Sequence, residues 1–593
     1  MRKSLYAALA VTFVIAISAG HPLRAFTESI DYDAINKIKA QGLVESNSKV
    51  MEIASYLTDV YGPRLTGSPN VELAGKWAVK QMQDWGLTGA ALEPWSADAT
   101  GANNGFPKGW VNEKFYLAAV TPQAFPIVGT PTAWTPGTNG LTKGPAVMIT
   151  EGTLEELKAK YAGKLKGAWV MRTPAPDVAA YFVAPGKRYT KDELDAMESP
   201  ARTNELGAAA GRGGAAAAPA GRGGAAAPTA APGTTPCNAG RGGGGGAATP
   251  NPCDAFFKTE GVVGFLSTAP RGHGIYTIGA GSRTADPAAG FAQIAITAEH
   301  YGRIARMLAK NQPVVLEADI KNTYTANPPM FNVVGEIKGT DKADEIVMLG
   351  AHFDSWHAST GATDNAAGSA AMMEAMRILK VSGVKLRRTV RIGLWTGEEQ
   401  GLLGSRNYVS AHFGTAGGRG GAGGGAGAGG GRGAAGAPGA AGAPGAAPAA
   451  PAAPTMMAEG AKFAGYFNID NGTGAIRGIY LQQNQAVAPI FREWIEPFKS
   501  IGMTHINVGN TGGTDHQSFD AIGLPGFQFI QDEVEYNSMT HHTNLDSYER
   551  LQPEDMRRNA TIAAAFAFLA ANRDEKLPHK PATPLPGGGR GGN

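Results

Sequence analysis

The 593-residue sequence predicts an α/β fold: a mixed, largely parallel sheet flanked by helices, with a mostly β segment inserted into it. Three observations carry that reading. From about residue 331, short apolar strand-like runs alternate with helical stretches, the order expected of a sheet covered by helices on both faces. Residues 30–88 place apolar side chains three and four apart, which is a helical period. Residues 127–285 change to short strand-like runs and mark a separate region.

The elements follow in chain order. Helical spacing joins Ile35 and Ile38, then Val50, Ile53, Ala54 and Leu57, then Ala74, Trp77, Ala78, Met82 and Trp85. Between the second and third groups, Tyr61-Gly62-Pro63-Arg64-Leu65-Thr66-Gly67-Ser68-Pro69 is rich in residues that break helices and make turns. Strand-like runs in the inserted region include Pro145 to Thr150, Gly167 to Arg172 and Val262 to Leu266. The later alternation comprises strands at Asn332 to Ile337, Glu345 to Ala351, Arg388 to Trp395, Ala464 to Ile469 and Pro525 to Ile530. Helices are predicted from Ala366 to Lys380, from Gln400, over 486–499 and from Pro553. In such sheets, functional groups gather at the carboxyl ends of the strands.

Composition narrows the function. Gly is 83 of 593 residues and charged residues are 17 %, against norms of roughly 7 % and 25 %. The glycine excess sits in low-complexity tracts at 203–251 and 414–454 and in a tail at 587–593, which are expected to lie outside the packed core. Their Arg-Gly-Gly segments lack the aromatic residues that stack on bases, and the formal charge of +3 is too small to recruit a polyanion, so no nucleic-acid partner is expected. Cys237 and Cys253 are the only cysteines; they exclude a thiolate zinc site and allow at most one bridge. Arg2 and Lys3, the apolar run Leu5 to Ala19 and the small residues Ser18-Ala19-Gly20 give residues 1–25 the character of a secretory signal peptide. The run falls short of the ~20 residues of a spanning helix, so an exported protein (periplasmic or secreted) without a stable membrane span is expected.

Five strand-end segments carry residues of metal-binding type: His352-Phe353-Asp354, Asp364-Asn365, Glu398-Glu399, Asp470 and His541-His542. Each alone is a weak signal, since a lone histidine or a glutamate pair is usually structural. As a set they supply the neutral imidazoles and ionised carboxylates that zinc takes in a site without thiolates, and a carboxylate has two oxygens with which to bridge two cations. A remaining free carboxylate can move a proton from water to a leaving amine.

The segments Gly350-Ala351-His352-Phe353-Asp354-Ser355-Trp356, Gly361-Ala362-Thr363-Asp364-Asn365-Ala366-Ala367-Gly368, Leu394-Trp395-Thr396-Gly397-Glu398-Glu399-Gln400-Gly401, Asn468-Ile469-Asp470, Thr514-Asp515-His516-Gln517-Ser518-Phe519 and His542-Thr543-Asn544-Leu545-Asp546 resemble those of the M28 zinc metallopeptidases in order and spacing. Asp354-Ser355-Trp356 and the early Tyr61 to Ser68 turn resemble the carboxypeptidase Q branch of that family. The resemblance implies a zinc exopeptidase fold with two Zn2+ per chain: His352 and Asp470 on one, Glu399 and His542 on the other, and Asp364 bridging. It makes Glu398 the general base and Asp354 the residue that orients His352. Where many relatives have a tyrosine before the last metal histidine, this chain has His541; His541, Tyr536 or neither is left to stabilise the oxyanion. Thr514-Asp515-His516 reads as support for the pocket, and His357 as a structural residue.

The resemblance divides the chain into residues 26–126 and 286–586 as the peptidase domain and 127–285 as a protease-associated-like insert acting as lid or partner surface. It implies a short peptide substrate, cleaved from an end that the sequence does not specify, and it allows a homodimer. Two other readings, a noncatalytic receptor or scaffold and a single-zinc glutaminyl cyclase-like acyltransferase, are disfavoured because all five ligand positions and Glu398 are intact.

Overall fold

A computed structural model describes residues 30–96, 106–198, 237, 251–281, 283, 290–416 and 454–580. The signal-like segment 1–25, the tail 587–593 and nearly all of both tracts lie outside these residues.

The main sheet has eight strands, in the order Thr88–Pro94, Phe331–Ile337, Arg388–Trp395, Lys342–His352, Phe463–Asn468, Gly526–Gln531, Ile476–Tyr480 and His505–Asn507. The four central strands, Arg388–Trp395 to Gly526–Gln531, run parallel to one another, so their carboxyl ends emerge along one edge. The outer pairings are antiparallel except for that of Ile476–Tyr480 with His505–Asn507. The parallel strands are buried on both faces and read as nearly unbroken apolar runs, such as Ile346 to Ala351.

Helices cover both faces. On one, Ala367–Val381 and Pro553–Asn572 pack with Tyr32–Gly42 and Val50–Ser55 over the sheet. Small residues permit the close approach: Ala370, Ala371, Ala563, Ala564 and Ala567 are buried, and a Cβ at Gly42 would lie 2.1 Å from Thr561 Oγ1. On the other face, Leu403–His412 and His516–Asp520 bury an aromatic cluster in which Tyr466 and Phe519 stack with centroids 4.1 Å apart. The helix expected from Gln400 begins at Leu403, because the chain first turns over Glu398 to Leu402, where Gly401 and Leu402 N–H both donate to Glu398 O.

A second eight-stranded sheet is wider than the sequence boundaries 127–285. Its order is Phe125–Pro126, Lys108–Thr121, Val315–Ala326, Thr142–Met148, Trp169–Met171, Gly264–Ser267, Ala292–Ile296 and Gly129–Pro131. Its two longest strands, Lys108–Thr121 and Val315–Ala326, lie outside the predicted segment. They belong here because Leu316, Ala318 and Ile320 alternate with Glu317, Asp319 and Lys321, which buries one face and leaves the other polar. Its four strands from Thr142–Met148 to Ala292–Ile296 are mutually parallel, so the region also carries crossover helices at Leu154–Tyr161 and Pro252–Glu260. Cys237 and Cys253 form a disulfide buried beside Leu157, Phe256 and Phe257.

Candidate metal centre

The four parallel strands deliver the polar groups to one place. His352 ends Lys342–His352, Glu398 and Glu399 follow Arg388–Trp395, Asp470 follows Phe463–Asn468, and His541 and His542 lie in the loop after Gly526–Gln531. Asp364 comes from the turn before helix Ala367–Val381. Its backbone is extended (φ −127°, ψ 83°), which turns the side chain out of the helical path. Gly361, which opens this turn, has φ +68°, and a Cβ there would meet Ser355 Cβ at 2.2 Å.

His352 Nε2 lies 3.1 Å from Asp470 Oδ1 and 3.2 Å from Asp364 Oδ1. His542 Nε2 lies 3.0 Å from Glu399 Oε2 and 3.3 Å from Asp364 Oδ2. Asp364 thus stands between two imidazoles, one oxygen toward each. All five residues to which the resemblance assigns ligand roles meet here, and the ring of His541, centred 3.9 Å from that of His542, lies beside them with Nε2 4.0 Å from Asp364 Oδ2.

The donor set fits a cation. His352 Nδ1 is 3.0 Å from the main-chain oxygen of Asp354, so Nδ1 carries the proton in the neutral ring and Nε2 presents a lone pair. That lone pair faces two carboxylate oxygens, an arrangement of acceptors that only a proton or a cation reconciles. Asp364 Oδ2 and Glu399 Oε1 are both buried without a hydrogen-bond donor. Burial pushes the carboxyls of Glu398 and Glu399 well above the usual range, with neighbouring carboxylates adding to the effect. Burial acts the same way on Asp364, but the hydrogen bond from His352 and the nearby imidazoles outweigh it and hold that carboxyl low.

Two further carboxylates hold the backbone rather than the ligand atoms. Asp354 accepts from Glu398 N–H at 3.2 Å, Glu399 N–H at 3.4 Å and Thr66 Oγ1 at 2.7 Å. The nearer partner of His352 Nδ1 is the main-chain carbonyl of Asp354; its carboxylate lies 3.7 Å away. Asp546 accepts from Thr363 N–H at 2.6 Å and from Asp364 N–H at 3.1 Å, tying the turn of Asp364 to the loop of His542. Arg64, fully buried, donates to the carbonyls of Leu57, Phe353, Thr360 and Gly361 and so fixes the segments on both sides of the centre. The sequence marked the turn containing Arg64 and Thr66 and the segment containing Asp546, but no local signal assigns these contacts.

The remaining residues singled out in the sequence are supporting. Tyr536 is buried with its ring 4.8 Å from that of His541. Burial lowers the His541 imidazole to about 4, with the charges of His542 and Arg271 acting in the same direction. His357 bonds the carbonyl of Pro131 in the second sheet and packs edge-on against Trp110. His516 lies against Gln482 and Thr511, while both carboxylate oxygens of buried Asp515 lack a donor and burial pushes that group up to about 7.

A family model described as peptidase family M28 matches residues 332–418 and 441–567, which contain every residue of the cluster. Carboxypeptidase Q of Mus musculus is 25 % identical over 283 residues, covering 48 % of this chain and 50 % of that protein. Carboxypeptidase Q of Xenopus laevis is 32 % identical with the same coverage. The chain therefore spans about half the length of the curated relatives it matches. The crystal structure of a peptidase M28 precursor from Shewanella amazonensis SB2B shares the fold, with a TM-score of 0.55 at 21 % identity over 93 % of this chain and 98 % of that one. The stretches matched by the family model hold the whole cluster, so this part of the chain is an M28 peptidase region, and the Shewanella structure shares its fold.

Proposed function

We propose that this protein is an exported dizinc exopeptidase that hydrolyses short peptides. One observation carries the reading: Asp364 divides its two oxygens between His352 and His542, each of which faces a further carboxylate, Asp470 and Glu399 respectively. His352 and Asp470 would hold one zinc, Glu399 and His542 the other, and Asp364 both. Two zinc ions held there would supply Lewis acidity to the scissile carbonyl and favour ionisation of water.

The chain's own residues complete the chemistry. Glu398 takes a proton from the attacking water and returns it to the departing amine. Burial raises its pKa, which makes the carboxylate a stronger base than an exposed one. Its main chain is fixed by Asp354, so the carboxylate needs little rearrangement when substrate arrives. Residues 127–285 act as a lid: Ile278, Trp356 and His542 line one small depression beside Asp364. The Cys237–Cys253 disulfide supports export, since such bonds persist in oxidising compartments.

Chelation of the purified protein should abolish hydrolysis of dipeptides, and addition of about two zinc ions per chain should restore it. Full activity in protein shown by elemental analysis to hold no transition metal would overturn the proposal.

A further inference from the structure

We propose that Arg271 is a specificity-determining residue that anchors the free carboxylate at the C-terminal end of a short peptide lying in the site; this rests on the peptidase reading above. Arg271 opens a strip of the second region that docks on the loop bearing His541 and His542. Gly272 bridges to Ile275, Tyr276 N–H donates to Asn544 Oδ1 at 2.9 Å, and Asn544 Nδ2 donates to Gly274 O at 3.0 Å. Thr277 then bridges to Thr543, and Ile278 N–H donates to His542 O at 3.2 Å. An irregular segment of the same region closes the far side: Tyr181 stacks on His273 with centroids 4.1 Å apart, and Ser538 Oγ donates to Pro185 O at 2.6 Å.

Arg271 sits where these strips meet, next to Gly272, where a Cβ would lie 2.1 Å from Val178 Cγ1. Its Nη1 is buried and has no hydrogen-bond partner, and among the described residues no carboxylate pairs with it. A buried guanidinium N–H without an acceptor is costly, and the cost is offset when an acceptor is brought in. The planar fork of an arginine matches the two oxygens of a carboxylate. Other guanidinium groups differ in their surroundings: Arg406 Nε is also bare, but it lies on helix Leu403–His412 of the main sheet, outside the strip 271–278. Arg64 donates to four carbonyls, and Arg283, whose Nη1 is also bare, lies over the Phe106 ring at 4.9 Å. Arg271 has neither on its Nη1.

The test uses the zinc-loaded full chain with three ligands: a dipeptide with a free carboxylate, its C-terminal amide, and an amide carrying an acidic side chain. Binding is measured by calorimetry on Glu398→Gln protein and turnover on wild type. Arg271→Met should raise Kd and KM for the free-carboxylate dipeptide by roughly 10- to 100-fold with little change in kcat, and leave both amides unchanged. Arg283→Met should not alter the preference for carboxylate over amide. Methylguanidinium added to Arg271→Ala protein should recover part of the lost affinity for the carboxylate ligand alone, which a general folding defect would not allow. Equal binding of dipeptide and simple amide by wild type, parallel weakening of both in Arg271→Met, or dependence on Arg271 confined to the acidic side chain would each overturn the anchor. Arg271-dependent binding without hydrolysis would leave the anchor standing and remove the peptidase reading; hydrolysis indifferent to the terminal carboxylate would do the reverse.

Discussion

His352 and His542 face the same carboxylate from opposite sides, and they are held in different ways. His352 is 1 % exposed, sits at the end of a central parallel strand, and has its ring fixed by the carbonyl two residues on. The side chain of His542 is 27 % exposed, its backbone has φ +57°, and its carbonyl is held by Ile278 from the second region. One half of the centre is thus a product of the main sheet's core. The other half takes its geometry from a loop that a separate layer presses into place. Metal affinity on the His542 side should therefore depend on contacts far from any ligand atom, and on the His352 side it should not.

The largest effect is expected at the glutamate pair, and it sharpens the contrast because neighbouring residues fall to different tasks. Glu398→Gln should keep both ions while kcat drops by about 10²- to 10⁴-fold, since an amide cannot accept the proton. Glu399→Gln should lose the ion on the His542 side by removing ligand charge. Metal analysis and kcat on both variants read this out; loss of metal from Glu398→Gln would reverse the assignment.

Asn544→Leu should come next. It breaks both hydrogen bonds to the strip 274–276 without touching a ligand, so affinity for one of two zinc ions should fall roughly 10- to 100-fold, the range seen when groups that orient ligands are removed. Competition titration with a chromophoric chelator gives the two affinities separately. Equal weakening of both sites would erase the difference drawn between the halves.

The smallest effect probes the main sheet alone. His412 pairs with Glu93 at 2.7 Å and Glu459 at 3.1 Å, and these hydrogen bonds raise its pKa to about 9. A folded-state pKa above the unfolded value near 6.5 means that this stabilisation is complete below pH 6.5 and is lost as pH rises through 9. Wild-type thermal stability should decline across that window more steeply than that of His412→Gln. Identical pH profiles for the two proteins would show that the pair contributes nothing measurable.

The proximity of His352, Glu398, Glu399 and Asp470 was legible in part because each follows closely on an apolar strand. Asp364, in a turn before a helix, and His541 and His542, in a loop well past a strand, were marked by the family resemblance. The alternation after residue 331 gave the central strands because it is a local pattern. The clamps were not legible. Thr66 reaches Asp354 across 288 residues and Thr363 reaches Asp546 across 183, and nothing near Thr66 or Asp546 distinguishes such a contact from a turn cap. The two long strands of the second sheet are readable in principle, since Leu316, Ala318 and Ile320 alternate with charged residues; they fall outside 127–285 because those boundaries follow the short strand-like runs. Arg271 carries no motif, and its bare Nη1 becomes visible only when every acceptor around it can be counted.

The short ladder that joins Gly414–Thr415 to Thr455–Met456 has a practical meaning for engineering. It brings the residues that flank the glycine-rich tract side by side. Doubling the length of a loop closed in this way costs only about 0.6 kcal/mol of chain entropy. The ladder is therefore a grafting port: a foreign binding module or affinity handle spliced between its strands, provided its own termini lie close together, should leave the central strands of the main sheet undisturbed.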